Sequence, residues 1–255
     1  MMPNPRAVRA FSLGKGGTVG DGRLDAYRVA VERIFGEDLV SVTLYGGHAL
    51  EPPEVDEDVT VLIVVRELRR DALEAFRKEA PGFAKRGIPP PPIFTEGFLS
   101  RSLDVFPLEF LSMKEHRTVL SGRDILADVR VDDRNLRHQV EFELKGKLLS
   151  LRRMHMATRG AREVAELLRN TAGSIVSVAR GLLLLAGHDA PHGKARILAE
   201  IESRFGISLP CLREIVAAVD GKALSARAEE IAPGYLEEVE RLCAAADRYA
   251  GGDKR

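Results

Sequence analysis

The residue types with the clearest chemical potential lie in Leu44-Tyr45-Gly46-Gly47 and, farther on, in Asp56-Glu57-Asp58-Val59-Thr60. Side chains alternate along a strand, so acids at i and i+2 point to the same face. Such a pair offers hard oxygens to Mg²⁺, and two cations side by side stabilise the charge on a phosphoryl group in transfer. A double glycine that closes a strand lets backbone N–H groups approach an anion. The acids can be set in two registers. In the first, Asp58 and Thr60 share the face, and the second position holds only a neutral, weak hydroxyl ligand. In the other, Asp56 and Asp58 form the pair, and Glu57 between them would face the core, where a charge fits badly. The first register is the preferred reading. Glu109 is the candidate third carboxylate, because it alternates with Phe106, Leu108 and Phe110 in a strand-like run from Val105 to Leu111. Asp104 is the fallback, better suited to a cap or turn.

The elements that must position these groups follow from hydrophobic periodicity. Leu24, Tyr27, Val31 and Ile34 recur at helical spacing and stop at Gly36. Leu39 to Tyr45 reads as a strand, and Val59 to Val65 as a buried one rich in β-branched residues. Arg69 to Arg86 is an amphipathic helix with Leu73, Phe76 and Phe83 on one side. Pro89 to Pro92 forbids helix, and Ile93 to Thr95 is a further strand candidate. Together these predict an α/β domain with a mixed sheet over residues 23–131.

The pattern then changes. Asp132 or Asp133 can cap a long helix carrying Leu136, Val140, Leu144, Leu148 and Leu151. Helices are expected over Arg162–Ala186, Lys194–Phe205, Leu209–Val219 and Tyr235–Tyr249. Gly187, Gly206 and Gly221 would supply stops and Pro233 a start. The fold class is therefore α+β, an α/β domain followed by an all-α helical bundle over 132–250. Residues 1–22 read as a flexible leader and 251–255 as a tail. Within the leader, Gly14-Lys15-Gly16-Gly17-Thr18 lacks the spacing of a phosphate loop.

The glycine turn, followed eleven residues on by Asp58 and an apolar strand, resembles the nucleotidyltransferase superfamily of the DNA polymerase β type. The bacterial minimal and aminoglycoside-modifying branches are the most similar. There a Leu-Tyr-Gly-Ser turn precedes Ser-Asp-Ile-Asp-Leu-Leu-Val-Val. The resemblance spans about residues 24–112 and extends loosely over Glu141-Phe142-Glu143-Leu144-Lys145-Gly146-Lys147. It implies Mg²⁺-dependent transfer of a nucleoside monophosphate from an NTP, ATP in the first instance, to a hydroxyl on a small molecule or protein. It further implies Asp58, Asp56 and Glu109 as metal ligands, Gly46 and Gly47 at the phosphates, Lys145 or Lys147 on the triphosphate, and Glu141 as base. Glu141/Lys145 and Glu143/Lys147 are also ordinary helix-surface pairs. Three departures stand out: Gly47 replaces the serine, His48 follows where small residues are usual, and Thr60 replaces the second aspartate. If metal-centred stabilisation is weakened by about 4 kcal/mol, the rate falls roughly a thousandfold. The resemblance therefore leaves two expectations: a weakened or inactive transferase, or a non-catalytic nucleotide-binding or protein-interaction module acting through its helical domain.

Composition narrows the classes. The chain has 255 residues, 45% hydrophobic and 30% charged, with 38 acids balancing 38 bases. That balance argues against a general nucleic-acid or membrane-surface binder. The two cysteines, Cys211 and Cys243, lack metal or redox spacing and read as helix packing residues. His188-Asp189 with His192, and the cluster Arg152, Arg153, Arg159 and Arg162, read as solvated. No apolar segment follows the arginines of residues 1–9, so a secretory signal is not expected, and cytoplasmic location is the default. A homo-oligomer formed through the helical half is a further expectation.

Overall fold

The computed structural model describes residues 9–10, 22–49, 59–188, 190–191, 193–218 and 221–248. The chain divides into two compact units, Met1–Val131 and Asp132–Arg255.

The first unit is built on a sheet in the order β1-β5-β2-β3-β4. Its strands are β1 (Arg9–Ala10), β2 (Leu39–Tyr45), β3 (Thr60–Val65), β4 (Ile93–Thr95) and β5 (Arg117–Gly122). β2 runs antiparallel to both β3 and β5, whereas β3/β4 and β1/β5 are parallel. α1 (Gly22–Phe35) and α2 (Arg70–Ala84) supply Tyr27, Val31, Phe76 and Phe83 to a core with Val42, Leu44, Val61, Ile63 and Val65. Leu62 and Val64 belong to a second core, with Leu99 of α3 (Glu96–Arg101), Phe110 and Met113 of α4 (Pro107–Glu115), Leu126 and Val129. Buried on both sides, β3 must be apolar throughout, which is why it is so plain in the sequence. Tyr27 meets Phe83 edge-on at 4.9 Å between ring centroids. Its hydroxyl is buried with no hydrogen-bond partner among the described residues, and desolvation pushes its pKa well above that of an ordinary phenol.

Three expectations for this unit are corrected. Val105 to Leu111 is not a strand: residues 102–106 form a bend and turn, and α4 begins at Pro107. Proline at the first helical position presets φ and loses no needed donor, so it starts a helix despite the alternating pattern around it. The inner face of α2 is Ala72, Phe76, Ala80 and Phe83, while Leu73 is exposed. Arg9 and Ala10, inside the expected leader, pair with Thr118 and Val119 of β5.

The second unit is helical: α5 (Asp133–Ala157), α6 (Ala161–Leu185), α7 (Lys194–Phe205), α8 (Pro210–Ala217) and α9 (Gly221–Arg248). Asp132 caps α5 by accepting the Arg134 N–H at 2.7 Å, and Leu136, Val140, Leu144, Leu148 and Leu151 are all buried. α6 packs against α5, α7, α8 and α9. Gly221 was expected to stop a helix and Pro233 to start one, but α9 begins at Gly221 and runs continuously through Pro233. The apolar face of Leu224, Ala228, Ile231, Tyr235, Val239 and Leu242 is buried along its length. That burial outweighs the roughly 3 kcal/mol an interior proline costs. Gly234 beside it packs closely on α8: a Cβ there would lie 2.7 Å from Cys211 Sγ, which would have to shift.

Both cysteines are free thiols. Burial, reinforced by Glu238 for Cys211 and by Asp247 for Cys243, pushes each thiol up to about 11. The protonated thiol is therefore favoured in the fold until strongly alkaline pH. Alkylation of the native chain at about pH 8 should run roughly a hundredfold slower than in urea, as the thiolate fraction falls. Equal native and unfolded labelling rates, followed by mass spectrometry, would contradict this.

Candidate functional site

The glycine turn closes β2. Gly46 has φ +77°, a left-handed conformation that suits glycine, and the Ala49 N–H donates to its carbonyl at 3.0 Å. A short 3₁₀ turn over Gly47–Ala49 follows, with Gly47 buried. The Gly46 N–H is already committed, donating to the His116 carbonyl at 3.1 Å. His48 Nδ1 is buried with no hydrogen-bond partner among the described residues.

Thr60 opens β3 and pairs with Tyr45 across the ladder. Its hydroxyl donates to the Tyr45 carbonyl at 2.5 Å. A Cβ on Gly46 would lie 3.1 Å from the same hydroxyl oxygen, so Thr60 stands directly against the turn. The sequence-derived neighbours Gly46 and Thr60 are thus brought together. Burial raises the pKa of the Tyr45 phenol beside them.

The third strand at this end is β5, which sequence reasoning missed. Arg117 is opposite Tyr45, and Thr118 opposite Leu44. Arg117 is buried and forks onto Asp124 at 2.9 and 2.8 Å, while also donating to the Lys114 carbonyl. Lys114 in turn donates to the Val129 carbonyl at 2.6 Å. Burial, then repulsion from Arg130 and Arg117, lowers the pKa of its ammonium. A signal for this strand existed: the β-branched pair Thr118-Val119 lies just before Ser121-Gly122.

Asp56 and Asp58 lie outside the described residues, as do Asp189 and His192. Glu109 is exposed in the first turn of α4. The strand alternation that aimed it at the site is therefore gone, and its charge instead suits a helix N-terminus. Asp104 lies in the turn before α4. No described residue of β2, β3 or β5 is acidic. Among the described residues no three His, Cys, Asp or Glu side chains come together to hold a metal. The donors described here therefore do not fit an Mg²⁺ ion by themselves, and the Thr60 hydroxyl is turned to a carbonyl.

Glu141, Lys145 and Lys147 belong to α5 in the other unit. Glu141 accepts from Arg137 at 2.7 Å. Lys145 donates to Asp247 at 2.5 Å, and that bond raises the pKa of its ammonium. Glu143 accepts from Gln139 at 2.8 Å. At the opposite end of β2, a shallow depression of about 400 Å³ is lined by Arg33, Phe35, Gly36, Asp38 and Arg69. Of these, Arg69 pairs with Asp38, and Arg33 pairs with Glu79 of α2.

This mixed sheet with a glycine turn, followed by a helical unit, is a nucleotidyltransferase-like fold, as its likeness to a solved adenyltransferase shows. Among the solved structures similar to this chain is a spectinomycin adenyltransferase, AAD(9), from Enterococcus faecialis, solved with ATP and spectinomycin. The likeness has a TM-score of 0.52 at 11% identity and covers 89% of this chain and 98% of the other. No protein-family model matches the chain, and no curated protein matches it either. Among the described residues, no helix is long and apolar enough to cross a membrane.

Proposed function

We propose that this chain is a nucleotidyltransferase-like protein that binds a nucleoside triphosphate at the Gly46–Gly47 turn, with transfer to a hydroxyl acceptor weak or lost. The observation that carries this reading is the Thr60 hydroxyl donating to the Tyr45 carbonyl beside that turn. A neutral hydroxyl at this position is a weaker ligand for a hard cation than the carboxylate the resemblance implies there. With the Gly46 N–H bound to His116, the phosphates fall to the amides of Gly47 and His48. Divalent metal, if it binds, draws on Asp58 and Asp56, and Glu109 is the weakest member of the proposed set.

Calorimetric titration with ATP, with and without Mg²⁺, tests the reading. Binding should occur and change little with the metal. Thr60→Asp supplies the missing carboxylate but sets it against the Tyr45 carbonyl, costing about 1–2 kcal/mol of stability in metal-free buffer. Mg²⁺ should restore that loss and raise ATP affinity roughly tenfold or more in the variant. Strong metal-dependent binding by the unmodified chain, abolished by Asp56→Asn, would instead establish the Asp56/Asp58 register.

A further inference from the structure

The inner face of α5 is buried through Leu136, Val140, Leu144, Leu148 and Leu151. The opposite face also carries exposed apolar side chains, with Arg153 set between the last two of them. Phe142 is 72% exposed, Leu149 61% and Met156 78%. These three sit seven residues apart, so they form one stripe along the helix, the spacing of a helix–helix seam. His138 lies on the same stripe with its ring stacked toward Phe142, centroids 6.5 Å apart. Gly146 lies between Phe142 and Leu149 on this stripe. A Cβ there would meet nothing within 4 Å, so nothing in the surrounding structure requires glycine. A mid-helix glycine lowers helix stability, but it lets a second helix backbone come close.

The charges beside the stripe select the occupant. Glu141 and Glu143 precede Gly146, while Arg152 and Arg153 follow Leu149. Glu141, Lys145 and Arg152 lie along one flank. When two antiparallel copies cross near Gly146, Phe142 of each meets Leu149 of the other. The same crossing brings Glu141 of one copy beside Arg152 of the other. A parallel crossing would instead bring the Arg152-Arg153 segments of the two copies together. Glu141 and Arg152 now pair within the chain, with Arg137 at 2.7 Å and Glu240 at 3.1 Å; the Arg152 bridge is exposed and can exchange, whereas the Glu141 side chain is 21% exposed and must leave Arg137 to do so.

We infer that α5 is a self-association surface on which a second copy of this chain docks antiparallel, Phe142 against Leu149 with Gly146 at the crossing. The inference is independent of nucleotide binding. Sedimentation equilibrium of the full chain tests it. The expected species has twice the 28.0 kDa chain mass, and Phe142→Glu weakens the dimer tenfold or more with its melting temperature unchanged when read at a concentration where both forms are monomeric. Arg152→Glu should weaken the dimer, and the double variant Glu141→Arg with Arg152→Glu should recover it. A chain that sediments as a monomer at high concentration, or a dimer indifferent to Phe142→Glu, overturns the inference. A double charge swap without recovery overturns the antiparallel arrangement.

Discussion

Gly122→Ala should unfold the first unit or destabilise it by more than about 4 kcal/mol, the range reserved for severe backbone and packing faults. Gly122 ends β5 at φ +77°, opposite Ser41 of β2. A Cβ there would lie 2.0 Å from the Val40 carbonyl oxygen and 2.8 Å from its carbon. Both are backbone atoms of the neighbouring strand, so no rotamer change relieves the clash. The Arg123 N–H also donates to that carbonyl at 3.1 Å, and opening the strands would lose this bond. The positive φ adds its own strain for alanine. Urea unfolding followed by near-ultraviolet dichroism reads the effect, provided the transitions of the two units are resolved. A loss below about 1 kcal/mol would show that β5 can move away from β2 at little cost, and the close-approach account would be wrong.

Glu238→Ala should produce the second large loss, about 3–5 kcal/mol, in the helical unit. Glu238 is 1% exposed, and its two carboxylate oxygens accept the Cys211 and Leu212 N–H groups at 2.7 Å each. Those amides open α8, where backbone donors have no partner within the helix and the dipole favours an anion. Alanine leaves both donors without an acceptor, one of them buried. Glutamine keeps one acceptor but turns an NH₂ group toward donors, so Glu238→Gln should lie between alanine and the native chain. Glu238 also helps raise the pKa of the Cys211 thiol, after burial itself. Its removal should accelerate Cys211 alkylation while leaving Cys243 unchanged, a readout that peptide mapping separates from general unfolding. Unchanged Cys211 reactivity in a folded Glu238→Ala protein would argue against this arrangement.

The elements legible in the sequence are those whose burial is periodic and local. β3 and the inner face of α5 announce themselves through apolar residues whose spacing matches their geometry. β5 does not. Its residues are mostly half-buried, and it is a strand because β2 lies on one side and β1 on the other. Such pairing comes from distant chain and has no signature within a short window. α4 misled through Phe106, Leu108 and Phe110, whose two-residue period belongs to a turn and a helix start, with Pro107 as the overlooked signal. At the candidate site, the glycine turn and Thr60 could be named from sequence. Their contact could not, because it depends on the register that sets Tyr45 opposite Thr60. The expected orientation of Glu109 failed with the strand on which it rested.

The sheet order also bears on how the chain is made. β2 takes one neighbour, β3, soon after it is synthesised, but its other neighbour is β5. Thr43 must wait for Val119, after α2, β4, α3 and α4 have emerged from the ribosome. Through that interval β2 presents a bare edge flanked by Val40, Val42 and Leu44, the kind of template that recruits strands from other nascent chains. Translation stalled between α2 and β5 should therefore yield the species most dependent on chaperones, and release past Gly122 should end that dependence.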